Sequence, residues 1–276
     1  MEKGGRRQNS VSKKKFHVAV ISHGKDSEYM LLYILSHPEK YPLDMVVFVN
    51  TGFEFDAVYE VRDRCVEMLA ERSVPYKELD ISGKFFYYMF QKPVCKQGEN
   101  FVHRVGHGWC GGACRWGTAL KLETLRKFYN RELSEYDVVE YVGIAADEPE
   151  RVDCDAVKAG KKIYPLVNEG ITEAECLLGC YKHGFLWKED GIYLYEVMDR
   201  LSCWLCRNKN LKELKAMCFL LPKYFSRLKQ LEKKLCESMR GEGISLPELE
   251  KRFRKEGRRQ SVYDLFPFPE SDVWVG

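Results

Sequence analysis

The sequence predicts an α/β protein, built as a doubly wound, mostly parallel sheet with a helical C-terminal extension. Three observations predict this fold. Short apolar runs typical of buried strands recur at residues 18–21, 43–49 and 138–144. Amphipathic helical stretches separate the runs, which gives the β-α-β order of a parallel sheet. After residue 206 the pattern is helical, at 210–221, at 222–239 and after the capping-box residue Ser245.

Composition places few limits on function. The 276 residues suffice for one large domain, and we divide them into a disordered basic arm (1–15), an α/β domain (16–206) and a helical extension (207–276). The formal net charge of +3 implies no partner by itself, but basic residues cluster at 1–15 and 251–259. Either cluster could contact nucleic acid phosphates, and a solvated surface is the alternative.

Two further expectations concern location and assembly. The sequence contains neither an apolar run long enough to span a bilayer nor an apolar signal region behind its first charges. We therefore expect a cytoplasmic protein without a membrane partner, and a homo-oligomer. In a reducing compartment the eleven cysteines are expected as buried thiols and metal ligands instead of disulfides.

The first apolar run ends in a turn suited to binding an anion. Gly24 lets a ligand approach the backbone closely, and the helix that follows presents N–H groups without partners inside the helix. Together with Lys25 and the positive end of the helix dipole, these groups predict an anion site. A strand, a tight turn and a helix in this order also mark where an α/β sheet binds nucleotide.

This turn resembles the SGGKDS loop of the PP-loop ATP pyrophosphatases and of the phosphoadenosine phosphosulfate (PAPS) reductase superfamily. Its residues are Ser22, His23, Gly24, Lys25, Asp26 and Ser27, with His23 in place of the first glycine. The likeness runs from about residue 16 to about residue 231. It implies that the six residues bind an adenine nucleotide, ATP or PAPS, with magnesium, and that Lys25 and Asp26 are catalytic.

Three further segments resemble elements that line the nucleotide pocket in this superfamily. They are Asn50-Thr51-Gly52 after the second strand, Arg115 and Lys121 after a cysteine pair, and Asp147, Glu148 and Arg151 after the strand at 138–144. The resemblance implies that Arg115 and Lys121 contact the anionic end of the substrate, Arg115 as a catalytic residue. It also implies that Asp147 and Glu148 are available to magnesium. Ordinary turns and solvated helix ends are the alternatives.

Two cysteine pairs predict a metal centre. Cys110 and Cys114 lie in a glycine-rich loop, and Cys203 and Cys206 form a CxxC that follows a strand-like run at 193–197. Four thiolates make a closed, soft site suited to zinc or to an iron–sulfur cluster. The superfamily resemblance favours a [4Fe-4S] cluster, with zinc and free thiols as alternatives.

The sequence therefore favours an enzyme that couples ATP-dependent adenylation to sulfur transfer, with a sulfur donor protein as a partner. The first alternative is reduction of a sulfonucleotide such as PAPS. PAPS reductases carry a catalytic cysteine near the C-terminus, whereas Cys236 is the last cysteine here. The second alternative is a non-catalytic nucleotide-binding subunit of a nucleic-acid-modifying or phage-defence complex, which would use the basic segments as its contact surface.

Overall fold

The computed structural model describes residues 13–98, 100–110, 114–241 and 243–257, without the side chain of Arg115. The strands in these ranges are β1 (Lys15–Ile21), β2 (Met45–Asn50), β3 (Tyr76–Asp80), β4 (Pro93–Val94), β5 (Arg104–Val105), β6 (Asp137–Val142), β7 (Lys162–Ile163), β8 (Lys188–Glu189) and β9 (Ile192–Tyr193). The helices are α1 (Lys25–Ser36), α2 (Asp56–Glu71), α3 (Ser82–Phe90), α4 (Arg115–Glu132), α5 (Cys154–Lys158), α6 (Pro165–Glu169), α7 (Glu173–Lys182), α8 (Leu194–Val197), α9 (Leu211–Leu220), α10 (Pro222–Leu235) and α11 (Leu246–Gly257), with a 3-10 turn at Pro149–Arg151.

Five of these strands form one parallel sheet in the order β3-β2-β1-β6-β7. In the central strand, Val18 pairs with Met45 of β2 on one side and with Glu140 of β6 on the other. The sheet therefore reverses its winding direction between β1 and β6. The crevice at the carboxyl ends of these two strands is where open α/β sheets bind ligands. The α/β, doubly wound prediction is confirmed.

Helices cover both faces of the sheet because neighbouring strand residues point alternately into two buried clusters. Ala19, Val46 and Phe48 face the larger cluster, which includes the apolar sides of α1 and α2. Val18 and Val47 face a smaller cluster, to which α4 contributes Leu120, Leu125 and Phe128. Burial on both faces explains why these strands are continuous apolar runs instead of alternating ones.

The C-terminal helices α9, α10 and α11 pack onto the larger cluster, as the sequence predicts for the described part of the extension. Tyr224 of α10 links them to the sheet domain: its phenol oxygen accepts from the N–H of Asp56 at 2.8 Å and its O–H donates to Glu189 at 2.5 Å. On α11, Arg252 pairs with Glu256 and Arg254 pairs with Glu250. Two of the four basic residues in this described part of the segment are therefore paired within their own helix.

Other sequence predictions have mixed outcomes. Residues 1–12 of the basic arm and residues 258–276 lie outside the described residues. The strand-like run at 193–197 is mostly helical: β9 stops at Tyr193, and Leu194 and Val197 bury one side of the short helix α8. A short apolar run cannot be assigned to a strand or to a helical turn by its periodicity alone, which explains the error. Among the described helices, none is long and apolar enough to cross a membrane.

The sheet meets α1 at Gly143, directly after β6. A Cβ at this position would lie 2.6 Å from Cα and 2.8 Å from N of Ser27, and both are backbone atoms that cannot move aside easily. We expect Gly143→Ala to lower the free energy of unfolding by about 1–3 kcal/mol, because the added methyl overpacks the contact. Urea denaturation measures this change.

Gly83→Ala is the matched control. Gly83 lies in α3 with no atom within 4 Å of an added Cβ, so alanine should leave stability unchanged or raise it by about 0.5–1 kcal/mol. Equal losses of stability in both variants would contradict the close contact at Gly143.

Candidate functional site

The turn after β1 is closed by its own serines. The N–H of Ser22 donates to the hydroxyl oxygen of Ser27 at 3.1 Å, and the Ser27 hydroxyl donates to the carbonyl of Gly24 at 3.0 Å. Gly24 is the residue that precedes the first turn of α1, and no side chain caps the helix there. The turn therefore presents the start of α1 at the crevice, as an anion site requires.

His23 does not face the crevice. Its side chain is fully buried, with Nδ1 3.1 Å from a carboxylate oxygen of Glu28 and Nε2 3.0 Å from the hydroxyl oxygen of Tyr76. The backbone of His23 is left-handed, with φ of 55°, and its carbonyl accepts from the indole N–H of Trp187 at 2.7 Å. The histidine that replaces a glycine of the SGGKDS pattern thus anchors the turn to the core.

Lys25 is bound by two carboxylates. Its ammonium lies 2.6 Å from Glu173 and 3.0 Å from Asp26. Burial opposes the charge of Lys25, but the bonds to Glu173 and Asp26 outweigh it and raise the lysine pKa. Burial also raises the pKa of Asp26, and Lys25 offsets only part of that rise. The phenol oxygen of Tyr195 accepts from the backbone N–H of Lys25 at 2.8 Å, so a protein group occupies this donor of the turn.

The residues after β6 reach the same crevice. Asp147 accepts from the N–H of Glu173 at 3.0 Å, and the carboxylate of Glu173 in turn lies 2.6 Å from the ammonium of Lys25. Glu148 is buried and forms ion pairs with both Arg151 and Arg200, so two guanidinium groups balance its charge. The structure thus connects Asp147 to Lys25 only through Glu173, whereas Glu148 and Arg151 pair with each other.

The segment after β2 supports the second cysteine pair. Asn50 donates to Glu78 at 2.7 Å and accepts from the N–H of Gly52 at 2.8 Å. The fully buried Thr51 donates to Glu54 at 3.0 Å, and its hydroxyl oxygen lies 3.4 Å from the sulfur of Cys203. In this arrangement Asn50 and Thr51 hold neighbouring protein groups.

The four predicted metal ligands meet in one cavity of about 510 Å³, which we call the thiol cavity. Its lining includes Cys110, Cys114, Cys203, Cys206, Ser22 of the anion turn, Glu54, Lys121 and Lys209. A backbone bond from the N–H of Arg207 to the carbonyl of Cys110, at 3.3 Å, joins the two cysteine segments. Two pairs that lie about ninety residues apart in the sequence therefore share one site with the anion turn.

The first cysteine pair sits over a glycine. The sulfurs of Cys110 and Cys114 are 3.1 Å apart, and a Cβ at Gly117 would lie 3.0 Å and 2.9 Å from them. The hydrogen bond from the Cys110 thiol lowers the pKa of Cys114 to about 6, whereas burial raises the pKa of Cys203 to about 12. Any side chain at residue 117 would push into the space that the two sulfurs occupy.

Two lysines supply positive charge to the thiol cavity. Burial opposes the charge of Lys121, but Glu54, 3.8 Å from its ammonium, and the nearby cysteines outweigh that effect and raise the lysine pKa. Lys209 is 1% exposed, and its ammonium has no hydrogen-bond partner among the described residues. Burial lowers the pKa of Lys209. A buried ammonium without a partner is costly, so this cavity favours an anionic occupant.

The spacing of the sulfurs bears on which metal group fits. A tetrahedral zinc ion, with Zn–S bonds of about 2.3 Å, needs sulfurs within about 4 Å of one another. In the described part of the chain, the sole group of three or more ligand atoms within 4.8 Å of one another is His23, Glu28 and Cys65 in the core. No three of the four cysteine sulfurs lie within 4.8 Å of one another, although those of Cys110 and Cys114 are 3.1 Å apart, so the spacing does not select between zinc and an iron–sulfur cluster.

Sequence reasoning missed four residues of the site. Glu173 and Tyr195 bind Lys25, Glu54 contacts Thr51, and Lys209 lines the thiol cavity. Only Lys209 had a local signal, because it follows the CxxC by three residues. Arg115 begins α4 directly after Cys114, and its side chain lies outside the described part of the structure.

Comparisons with known proteins add little. No protein-family model and no curated protein matches the chain. Among solved structures, the U34-tRNA thiolase NcsA from Methanococcus maripaludis, solved with its [4Fe-4S] cluster, matches with 16% identity and a TM-score of 0.40. The match covers 98% of this chain and 79% of that chain. A likeness of this extent is too distant to assign a family, a site or an activity.

We expect Glu173→Gln to raise the affinity of the anion turn for inorganic pyrophosphate by about three- to tenfold, because it removes a negative charge that competes for Lys25. Isothermal titration calorimetry in buffer without magnesium measures the affinity for pyrophosphate. Glu150→Gln, an exposed carboxylate near the same strand end, is the control and should change affinity little. Weaker pyrophosphate binding by Glu173→Gln would contradict the competition.

Proposed function

We propose that this chain is an enzyme of the PP-loop type that binds ATP at residues 22–27, adenylates an acceptor and then delivers sulfur to it. A single observation carries the proposal: the thiol cavity is lined both by the four cysteines and by Ser22 of the anion turn. A nucleotide on the turn and a group held by the thiols would therefore be neighbours. Proximity of this kind is what a two-step transfer between bound groups needs.

At the nucleotide end, the chain supplies charge and orientation. The Lys25 ammonium exchanges Glu173 for the phosphates, and the start of α1 adds its N–H groups and its dipole. Asp26, which bonds to the Lys25 ammonium, and Asp147, which accepts from the backbone N–H of Glu173, are the carboxylates that would hold magnesium. Arg115 and Lys121 at the start of α4 are assigned to the anionic end of the substrate.

The adenylation step has a simple balance. An acceptor oxygen forms a bond to the α-phosphorus, the bond to the β-phosphate oxygen breaks, and pyrophosphate leaves with the electron pair. Lys25 stabilises the negative charge that grows on this leaving group. A sulfur nucleophile then replaces the activated oxygen, and AMP leaves. Each step releases an anion, first pyrophosphate and then AMP. Both steps therefore require positive charge at the turn, which Lys25 supplies.

At the cysteine end, Cys110, Cys114, Cys203 and Cys206 would hold an iron–sulfur cluster, with Gly117 leaving room for the first two sulfurs. Such a cluster supplies soft iron atoms that can carry sulfur. Lys121 and Lys209 balance part of the negative charge of four thiolates. The resemblance of the cysteine pairs to those of the PAPS reductase superfamily supports this cofactor over zinc.

Protein purified without oxygen should contain iron and acid-labile sulfide in near-equal amounts. We expect Cys203→Ser to lose most of both, because a hydroxyl is a poor ligand for iron in a soft site. Metal and sulfide analysis with a visible spectrum measures the loss. Cys154→Ser, an exposed cysteine on α5, is the matched control and should keep the full content. Zinc without sulfide in the wild type would contradict the cluster and leave a structural metal site.

We expect Lys25→Ala to reduce conversion of ATP to AMP and pyrophosphate by at least about a hundredfold, because it removes the charge that stabilises the leaving group. The assay supplies sulfide and, as candidate acceptors, mixed RNA and DNA. Lys158→Ala, an exposed lysine on α5, should behave as wild type. ATP binding by the wild type with no turnover on any acceptor would support the non-catalytic alternative instead.

A further inference from the structure

A second cavity of about 550 Å³ lies beside the thiol cavity and shares no lining residue with it. We call it the aromatic groove. The lining residues that matter here are Tyr88, Lys92, Arg104, His107, Trp116 and Glu123. The two cavities are adjacent because Trp116 of the groove contacts Phe85 of the thiol cavity, with ring centroids 4.6 Å apart. None of the proposed chemistry uses this groove.

Three rings in the groove are nearly parallel. The planes of Tyr88 and His107 differ by 26°, those of His107 and Trp116 by 17°, and those of Tyr88 and Trp116 by 26°. Their centroids are 5.8 to 6.2 Å apart. Burial, together with the nearby charges of Lys92 and Arg104, lowers the pKa of His107, which keeps its ring neutral. Flat, neutral rings of this kind stack on the faces of nucleobases.

Positive charge lies beside the rings. The Lys92 ammonium is 3.8 Å from the centroid of the Tyr88 ring. Arg104 is half exposed, donates to the carbonyl of His107 and lies 3.7 Å from Glu237. The carboxylate in the groove, Glu123, is paired with Lys127. Both cations therefore lie where they could contact the phosphate of a nucleotide whose base stacks on the rings.

The surface beside the groove is also apolar. Phe101, Val102 and Val105, in and before the strand that carries Arg104, are 59%, 51% and 65% exposed. A free nucleotide would leave this surface uncovered, whereas a chain of nucleotides would extend over it. Moreover, no residue of the anion turn lines the groove, so a triphosphate bound there would lack Lys25 and the start of α1.

We propose that the aromatic groove binds an unpaired base of single-stranded nucleic acid. The base stacks against His107 and Trp116, and Lys92 and Arg104 contact the flanking phosphates. Binding at the groove requires neither ATP nor the cluster, so it stands apart from the proposed adenylation and sulfur transfer. If both proposals hold, single-stranded nucleic acid is the class of acceptor.

The test is fluorescence anisotropy with labelled single-stranded RNA and DNA of mixed sequence, at several salt concentrations and without ATP. His107→Ala should weaken binding by at least about fivefold with an unchanged salt dependence, because it removes stacking surface and no charge. Lys92→Gln should weaken binding and also lower the slope of log affinity against log salt by about one, because one phosphate contact is lost.

Two matched controls exist elsewhere on the surface. The ammonium of Lys188 lies 5.1 Å from the Tyr193 ring centroid, and the ring of His37 stacks on Tyr33 at 4.2 Å. Lys188→Gln and His37→Ala should bind as wild type.

Four outcomes would overturn the proposal. Undetectable binding of single strands by the wild type is one, and binding that survives both groove substitutions is another. The third is competition by free AMP with the same affinity as the single strand, which would make the groove a site for free nucleotides. A duplex of the same sequence should bind more weakly than the single strand, since its bases are not free to stack; equal binding would also contradict the proposal.

Discussion

The rest of the site depends on how the turn after β1 is held. His23 adopts a left-handed backbone, which costs a residue with a Cβ about 1–2 kcal/mol. Its buried ring contacts Glu28 and Tyr76, and its carbonyl accepts from the indole of Trp187. These contacts come from α1, β3 and the segment before β8, so they fix the turn from three directions. The anion turn is therefore organised before a ligand arrives, which lowers the entropic cost of binding.

Charge is distributed differently in the two halves of the site. At the anion turn, Lys25 already has two carboxylate partners. A phosphate that replaces Glu173 therefore gains only the difference between its own attraction to Lys25 and that of Glu173. In the thiol cavity, the ammonium of Lys209 has no hydrogen-bond partner among the described residues, so an anionic group there gains a hydrogen bond without displacing another acceptor. Thiolates and a metal centre would supply that anion and would in turn favour the charged lysine. The thiol cavity is thus most stable when its four cysteines hold a metal centre.

The sequence predicts those features that depend on local pattern. Apolar runs identify the parallel strands, and the order of strand, turn and helix locates the crevice at Gly24. Cysteine spacing identifies the four residues that line the thiol cavity. Pairings across long sequence separations could not be predicted: Tyr195 is 170 residues from Lys25, and Glu173 is 148 residues away. The inward orientation of His23 likewise depends on Tyr76 and Trp187, which no local pattern relates to it.

Helix α4 contributes lining residues to both cavities. Cys114 at the start of α4 and Gly117, Thr118 and Lys121 within it line the thiol cavity, whereas Trp116, Ala119, Leu120 and Glu123 line the aromatic groove. Each set repeats at three or four residues, the spacing of one helix face, so the two cavities lie on different sides of α4. A helix with its side chains is about 10 Å across, which separates a base in the groove from the thiols. The stacked base would therefore serve recognition, and a different nucleotide of the same strand would be the acceptor.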